Sequence, residues 1–408
     1  MHCRNCGASL HFVLVDLGSS PLSNAYLTQV TMRRPEKWFP LRVLVCQECW
    51  LVQAESYSRA AEIFNDEYAY FSSFSDAWLQ HAEAYFIAIS EELGLTSTSF
   101  VVEIASNDGY LLKHFVAAGV PCLGIEPTAS TASAARLAGV PTVERFFGES
   151  FALEVRDEHR AADLVIGNNV FAHVPDPIDF LIGIERLLTD SGIATLEFPH
   201  LVNLVQQNQF DTIYHEHFAY LSLTATRAMA ERAGLQVFRV EDLATHGGSI
   251  RVYFQRSETG VHAVHESVDA LLAREETLGI DSTEFYSHLQ ESALQAKNDL
   301  LRFLLDVKSA GETICGYGAA AKGNTLLNFA GVRPDLLPFV VDRNPAKQGK
   351  FMPGSRIPIT GVSRLFEERP KYILVLPWNF TEEIVEQLAP CREWGAQFVT
   401  VIPSLSIR

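Results

Sequence analysis

The sequence predicts a three-part α/β protein: a short N-terminal metal-binding segment, a central Rossmann-like sheet and a C-terminal Rossmann-like half domain. Three observations carry this reading. Two C-x-x-C pairs stand at Cys3/Cys6 and Cys46/Cys49, and a strand, tight loop and helix run from Phe100 to Leu112. A second such start runs from Glu312 to Asn324, with Gly316, Gly318 and Ala321 spaced as G-x-G-x-x-A. The expected boundaries are residues 1–70, 71–255 and 256–408.

The 408 residues can hold two or three domains, each with its own core. Hydrophobic residues make up 48% and charged residues 20%, ordinary values for a soluble globular enzyme. With no apolar run of ~18 residues and no basic-then-apolar leader, no membrane contact and a cytoplasmic location are expected. A net charge of −17 argues against nonspecific nucleic-acid binding, although a local basic pocket can still take a phosphorylated ligand. No protein partner is indicated.

Cysteines dominate the first part. Two thiolate pairs make a tetrahedral S4 site that suits Zn²⁺ and steadies a segment whose own core is small. Residues 7–45 separate Cys6 from Cys46, so hairpins or a loop must fill the gap. A disulfide framework conflicts with the missing secretion signal, and a thioredoxin-type redox pair lacks its fold context. The assignment is structural zinc on Cys3, Cys6, Cys46 and Cys49. Cys122, Cys315 and Cys391 sit in or beside apolar runs, as buried packing residues do.

The second part opens with Phe100-Val-Val-Glu-Ile-Ala-Ser-Asn-Asp-Gly-Tyr-Leu-Leu112, and a second apolar run follows, ending at Glu126. This is the first βαβ unit of a doubly wound sheet, in which ligands sit beyond the carboxyl ends of the strands. A dinucleotide loop needs G-x-G-x-x-G, whereas this loop has one glycine and adds an aspartate. An anion would be repelled there; an amino group or a sulfonium would not. The ligand is therefore read as S-adenosylmethionine, with Glu103, Ala105, Asn107, Asp108 and Gly109 against its charged tail and Glu126 on the ribose. The alternative is a strand, turn and helix with no ligand. Further along, Asp163 to Asp176 reads as a strand and then a loop at the same edge, bringing Asn168, Asn169 and His173 to the crevice. Helices are expected over 78–93 and 178–188, and a strand over 192–198.

Proton-transfer groups concentrate in Phe210-Asp-Thr-Ile-Tyr-His-Glu-His-Phe-Ala-Tyr-Leu-Ser222. H-E-H lacks the i, i+4 pair of a helical zinc site, so acid-base work fits better than a metal. A near-neutral histidine can take a proton from carbon while a carboxylate or hydroxyl orients it.

These motifs, namely the C-x-x-C pairs, E-I-A-S-N-D-G-Y, N-N-V-F-A-H-V-P, Y-H-E-H-F and G-Y-G-A-A-A-K-G-N, together resemble the sugar C-methyltransferases, from Cys3 to the last strand. Enzymes of that family act on nucleotide-linked 4-keto-deoxyhexoses and make branched sugars. The resemblance implies that His217 abstracts the C3 proton, that Tyr214 and Glu216 place base and substrate, and that His173 and Tyr68 complete the surroundings. Tyr68 belongs to Asp66–Ser75, a stretch rich in rings and hydroxyls that suits a hinge or a sugar site. Ala105 departs from the pattern, standing where many methyltransferases have glycine. The chemistry agrees: a C4 ketone acidifies the C3 proton, and the enzyme supplies a base, a stabiliser for the enolate and an in-line methyl donor.

The charged, helix-forming stretch 266–308 suggests two helices bridging to the third part. There the G-x-G-x-x-A loop is followed by Asp342, at the end of strand 337–341, where a ribose-binding acid belongs. This is the rival signal, for an NAD-dependent nucleotide-sugar oxidoreductase. Only two further strands, 372–376 and 398–402, are evident, so the unit reads as a half sufficient for a nucleotide diphosphate. The family's C-terminal domain helps hold the sugar nucleotide, and Tyr317, Gly318, Lys322 and Asn324 are assigned to it. A noncatalytic scaffold would leave the Tyr214–His217 cluster unexplained.

Overall fold

A computed structural model describes residues 1–57 and 71–408. In chain order its strands begin with β1 (Phe12–Ser20), β2 (Phe39–Val45) and β3 (Val52–Ala54). The middle of the chain gives β4 (Val101–Ile104), β5 (Cys122–Ile125), β6 (Thr142–Val143), β7 (Ala162–Asn168), β8 (Leu188–Pro199), β9 (Ala219–Tyr220), β10 (Leu235–Leu243) and β11 (Ser249–Arg256). The last part contributes β12 (Ile314–Tyr317), β13 (Val340–Val341), β14 (Ile359–Thr360), β15 (Tyr372–Val375), β16 (Gln397–Thr400) and β17 (Ser406–Ile407).

The central sheet has the order β10-β11-β8-β7-β4-β5-β6. β4 to β8 run parallel, and β11 and β10 add antiparallel edges. Its parallel strands are apolar on both faces, as burial between helix layers requires: Val101, Val102, Leu164, Val165 and Ile166 are inaccessible. Strand order reverses between β4 and β7, so a ligand crevice opens beyond their carboxyl ends. The C-terminal sheet, β14-β13-β12-β15-β16-β17, is parallel except for β17 and reverses between β12 and β15. The molecule therefore has two such switch points.

The N-terminal strands pair antiparallel, and their sheet is completed from a distance: β9 docks on β3, with Val52 opposite Tyr220 and Gln53 opposite Ala219. This pairing fixes the chain immediately after the Tyr214–His217 run. One apolar core joins Leu14 and Val43 of this sheet to Leu300 of helix Leu289–Ser309 and to Leu326 and Val340 of the C-terminal unit. The first and third parts thus pack as one body.

Some elements differ from expectation. Stretch 266–308 holds three helices, Glu266–Leu278, Thr283–Tyr286 and Leu289–Ser309. The break falls at Gly279, whose φ of +77° makes it a left-handed C-cap. The two-residue strands β14 and β17 enlarge the C-terminal sheet, being too short to leave a period in the sequence. The helix expected at 78–93 is Asp76–Leu93, where the Ser75 hydroxyl caps the Trp78 N–H. The one expected at 178–188 is Pro177–Leu187, and β8 starts at Leu188 rather than Gly192.

Candidate active site

The four paired cysteines converge. Cys3 and Cys6 lie on a turn closed by Gly7 N–H to the Cys3 carbonyl, and Cys46 and Cys49 on the β2–β3 turn closed by Trp50 N–H to the Cys46 carbonyl. All four sulfurs fall within 4.8 Å of one another, with Cys3–Cys49 and Cys6–Cys46 at 3.5 Å. A tetrahedral S4 site with ~2.3 Å metal–sulfur bonds needs sulfurs about 3.8 Å apart, so the cluster fits zinc with little adjustment. Cys122, Cys315 and Cys391 are buried, as expected.

At the first switch point the loop after β4 is tightly wound: Ala105, Asn107 and Gly109 have φ of +56°, +50° and +79°. A Cβ on Gly109 would meet Val140 Cγ2 at 2.9 Å, so both conformation and space call for glycine. The two Glu126 oxygens accept the Asn107 and Thr128 N–H groups at 2.9 Å, tying the loop to the end of β5. From outside, Ser72 N–H donates to Asn107 Oδ1 and Ser73 N–H to Asp108 Oδ2. Glu103 is inaccessible, and neither of its oxygens has a donor among the described residues. Burial holds its carboxyl well above the usual range; the nearby Tyr110 hydroxyl opposes this, and Asp108 and Glu126 add to it. Such a buried acidic pocket favours a cationic guest, as the amino and sulfonium groups of S-adenosylmethionine are. At the end of β7, Asn168 Nδ2 donates to the Tyr110 hydroxyl, while the Oδ1 atoms of Asn168 and Asn169 are buried without donors among the described residues.

The Tyr214–His217 run crosses between the sheets. His217 Nδ1–H donates to the Thr212 carbonyl at 2.8 Å, which leaves the lone pair on Nε2. His173 makes the same kind of bond to the Glu216 carbonyl at 2.9 Å, and the two imidazoles meet edge to face at 4.7 Å. The Tyr214 ring lies 4.1 Å from that of His217. Burial lowers His173 to about 4 and holds His217 well below 6.5, with His173 adding to the latter. Both rings are therefore neutral bases near pH 7. His215 turns the other way, its Nε2 on the Pro40 carbonyl at 3.0 Å. Glu216 is buried, and the Asn24 side-chain amide donates to both of its oxygens at 2.8 Å. Burial pushes Glu216 up to about 7 against the Asn24 bonds. Tyr68 lies outside the described residues.

The second switch point faces the same centre. Lys322 stands in the first turn of helix Ala321–Ala330, its Nζ donating to Asn379 Oδ1 at 2.7 Å and lying 4.6 Å over the Trp378 ring. Trp378 Nε1–H donates to Asp211 Oδ2 at 2.8 Å, and Asp211 Oδ1 is buried without a donor among the described residues. Burial raises Asp211 to about 7, opposed by Lys322, and lowers Lys322 to about 8, opposed by Asp211. A cleft of about 660 Å³ opens alongside, lined by Trp78, His246, Trp378, Phe380, Glu382 and Arg408 among others. His246 is left-handed at φ +54°, lies 5.1 Å from the Trp78 ring and has a buried Nε2 without a partner among the described residues.

The residues expected on the substrate separate here. Lys322 reaches the centre, and Gly318, at φ +83°, turns the loop tightly against Pro377. Tyr317 packs in the C-terminal core with Phe339 and Val341, and Asn324 is inaccessible, its Oδ1 accepting from Asn328. The acid that suggested a dinucleotide is engaged: Asp342 accepts the Ala319 and Asn344 N–H groups at 2.7 Å, with Lys347 Nζ at 3.5 Å. Reasoning from sequence missed Asn24, Asp211, His246 and Trp378 as members of the site. Asp211 lay inside the run that was singled out, and Gly247–Gly248 was the one local sign of a special turn at His246.

Family models match along the chain: "Putative zinc binding domain" over residues 3–64, "Methyltransferase domain" over 78–240 and "C-methyltransferase C-terminal domain" over 244–403. The C-methyltransferase NovU of Streptomyces niveus is 35% identical over 401 residues, covering 98% of this chain and 95% of that protein. Among solved structures, an S-adenosylmethionine-dependent methyltransferase from Clostridium acetobutylicum matches at 11% identity and a TM-score of 0.36, over 44% of this chain and 92% of that one. The magnesium protoporphyrin IX methyltransferase of Synechocystis with bound SAM matches at 14% and 0.33, over 44% and 79%. Among the described residues no helix is long and apolar enough to cross a membrane. The NAD-dependent oxidoreductase finds no support in these matches or in the engaged Asp342. With all three parts matched and a relative aligned over nearly its whole length, the chain belongs to the sugar C-methyltransferase family and is an S-adenosylmethionine-dependent C-methyltransferase.

Proposed function

We infer that the protein methylates C3 of a nucleotide-linked 4-keto-deoxyhexose, with His217 as the base. The observation that carries this reading is the His217 tautomer. Its Nδ1–H is committed to the Thr212 carbonyl and burial keeps the ring neutral, so Nε2 can receive a proton from carbon. His173 and Tyr214 pack against the ring and fix its plane, and Glu216 holds the run in register through Asn24. Residues 103–109 would take the amino-acid end of S-adenosylmethionine and Glu126 its ribose, with Asn168 and Asn169 beside the donor. S-adenosylmethionine supplies the methyl group.

In this reading the nucleotide diphosphate lies along the Tyr317–Gly318 loop. Zinc on the four cysteines is structural and takes no part in the reaction. Cytoplasmic action on a soluble nucleotide-linked substrate belongs to the same reading. The test is incubation with S-adenosylmethionine and a panel of nucleotide-linked 4-keto-deoxyhexoses, read by mass for a gain of ~14 Da and by NMR for its position. His217→Asn should abolish turnover while S-adenosylhomocysteine still binds. Retained turnover would remove His217 as the base.

A further inference from the structure

We propose that Lys322 is the cation that holds the C4 oxygen of the substrate while the C3 proton leaves, so that the C-terminal domain completes the catalytic centre as well as gripping the nucleotide. This rests on the reaction inferred above and changes the part given to one residue, which its sequence position assigned to the nucleotide diphosphate of the substrate.

The neighbours of Lys322 decide between the two. An ammonium has three donors and no acceptor. Asn379 Oδ1 takes one at 2.7 Å, and the Trp378 ring fixes the group from one face at 4.6 Å. Donor capacity is left for a ligand. Asp211 stands at the edge of the same indole, whose N–H donates to its Oδ2 at 2.8 Å, and its buried Oδ1 has no donor among the described residues. A diphosphate brought here would face that carboxyl group, and the Arg408 guanidinium of the adjoining cleft is already paired with Glu382. The other lysine near this loop, Lys347, is already bonded to the Ala319 carbonyl at 2.9 Å. One neutral carbonyl oxygen that becomes negative only during the reaction is a better match for one cation held beside an acid.

The second argument is proximity to the base: the Trp378 indole under the Lys322 ammonium donates to Asp211, the neighbour of Thr212, whose carbonyl holds His217 Nδ1–H. The charge on Lys322 is among the causes that keep His217 unprotonated, so the two side chains share one electrostatic environment. A cation beside a base disfavours the imidazolium, which is a cost unless negative charge appears between them at the same moment. Enolate formation supplies that charge. The C3–H bond breaks and its proton moves to His217 Nε2. The electron pair becomes the C3=C4 double bond, and the carbonyl π pair moves to the C4 oxygen, where Lys322 donates a hydrogen bond without giving up its proton. As the enolate collapses, C3 bonds to the methyl carbon, the S–CH₃ bond breaks and its pair stays on sulfur, leaving S-adenosylhomocysteine. The start of helix Ala321–Ala330 adds its positive end to the same oxygen.

The experiment separates proton transfer from binding. Full-length protein is incubated in D₂O with S-adenosylhomocysteine and a nucleotide-linked 4-keto-deoxyhexose that the wild type methylates, and deuterium entering C3 is followed by mass. Lys322→Met should lower the exchange rate at saturating substrate by about 10²–10³-fold, the loss typical of one oxyanion donor, with substrate affinity changed only a few-fold. Lys322→Arg should restore part of the rate, and calorimetric S-adenosylhomocysteine binding in both variants reports an intact fold. Exchange at the wild-type rate in either Lys322→Met or a folded Lys322→Gln, with affinity for the substrate reduced, would overturn the proposal and return Lys322 to the phosphate. A wild type that neither exchanges nor methylates any such substrate would overturn the inferred reaction, and this proposal with it.

Discussion

The Asn24 side-chain amide donates to both carboxylate oxygens of Glu216 at 2.8 Å, across 192 residues of sequence. Asn24 belongs to the N-terminal part and Glu216 to the run that carries His217, so the metal-binding segment reaches the candidate site through one side chain. Its neighbour Tyr26 extends the link, donating to the Ala319 carbonyl of the C-terminal loop at 2.6 Å. Asn24→Ala should leave Glu216 buried without these donors, lower stability by about 1–3 kcal/mol and raise the Glu216 pKa further. Denaturant unfolding and a pH titration of turnover check this. A variant with wild-type stability and profile would mean that Glu216 needs no such holder.

The β4 loop offers a paired test of backbone strain. Ala105 sits at φ +56°, a conformation that costs a side-chain-bearing residue roughly 1–2 kcal/mol, whereas glycine adopts it freely but loses more chain entropy on folding. Ala105→Gly should therefore be stabilising by about 0.5 kcal/mol. Gly109→Ala should destabilise by about 2 kcal/mol and weaken S-adenosylhomocysteine binding, since strain at φ +79° and the 2.9 Å approach to Val140 act together. Thermal unfolding and calorimetry distinguish the two. Destabilisation by both changes would show that the Ala105 methyl group is packed to advantage.

These loops also mark what was legible in the sequence. The Ser106–Gly109 turn, the C-x-x-C pairs and the Tyr214–His217 run are local patterns, each dictated by a requirement within a few residues. The Asn24–Glu216 and Trp378–Asp211 bonds join residues far apart in sequence, and no period or motif encodes such a pairing. Asn324 illustrates the converse. Its place after the G-x-G-x-x-A loop suggested a ligand, yet helical geometry turns it inward onto Asn328. The strands β14 and β17 escaped because two residues cannot show alternation, whereas β4, β7 and β12 announced themselves as apolar runs buried on both faces.

Removal of the metal should reach the chemistry indirectly. With zinc bound, the four cysteines hold the β2–β3 turn, β3 pairs with β9, and β9 begins two residues after His217. A displacement of about 1 Å at a catalytic group can cost as much as 10²-fold in rate, so chelation or Cys46→Ser should lower turnover by about 10–100-fold. S-adenosylhomocysteine affinity should change little, because the Ala105–Gly109 loop belongs to a different sheet. Zinc content by atomic absorption, measured alongside turnover, makes the comparison. Full activity in metal-free protein would disconnect the segment from the site.

Two neighbours in the run should titrate with opposite effects on stability. His217 is held neutral by burial, with its folded pKa well below the ~6.5 of an unfolded imidazole. Below pH ~6.5 the unfolded state takes up a proton that the folded state refuses, so this residue costs stability progressively as pH falls. Glu216 is raised to about 7 from an ordinary value near 4.5. Between those two values the folded state keeps a proton that the unfolded state releases, so this residue costs stability progressively as pH rises, up to about pH 7. His217→Asn should therefore gain on the wild type as pH is lowered from 7 to 5, and Glu216→Gln should gain as pH is raised from 5 to 7. Each slope is at most about 1.4 kcal/mol per pH unit. Urea midpoints collected at pH 5, 6, 7 and 8 decide the matter. Parallel curves for the two variants would mean that burial does not set the protonation of this pair.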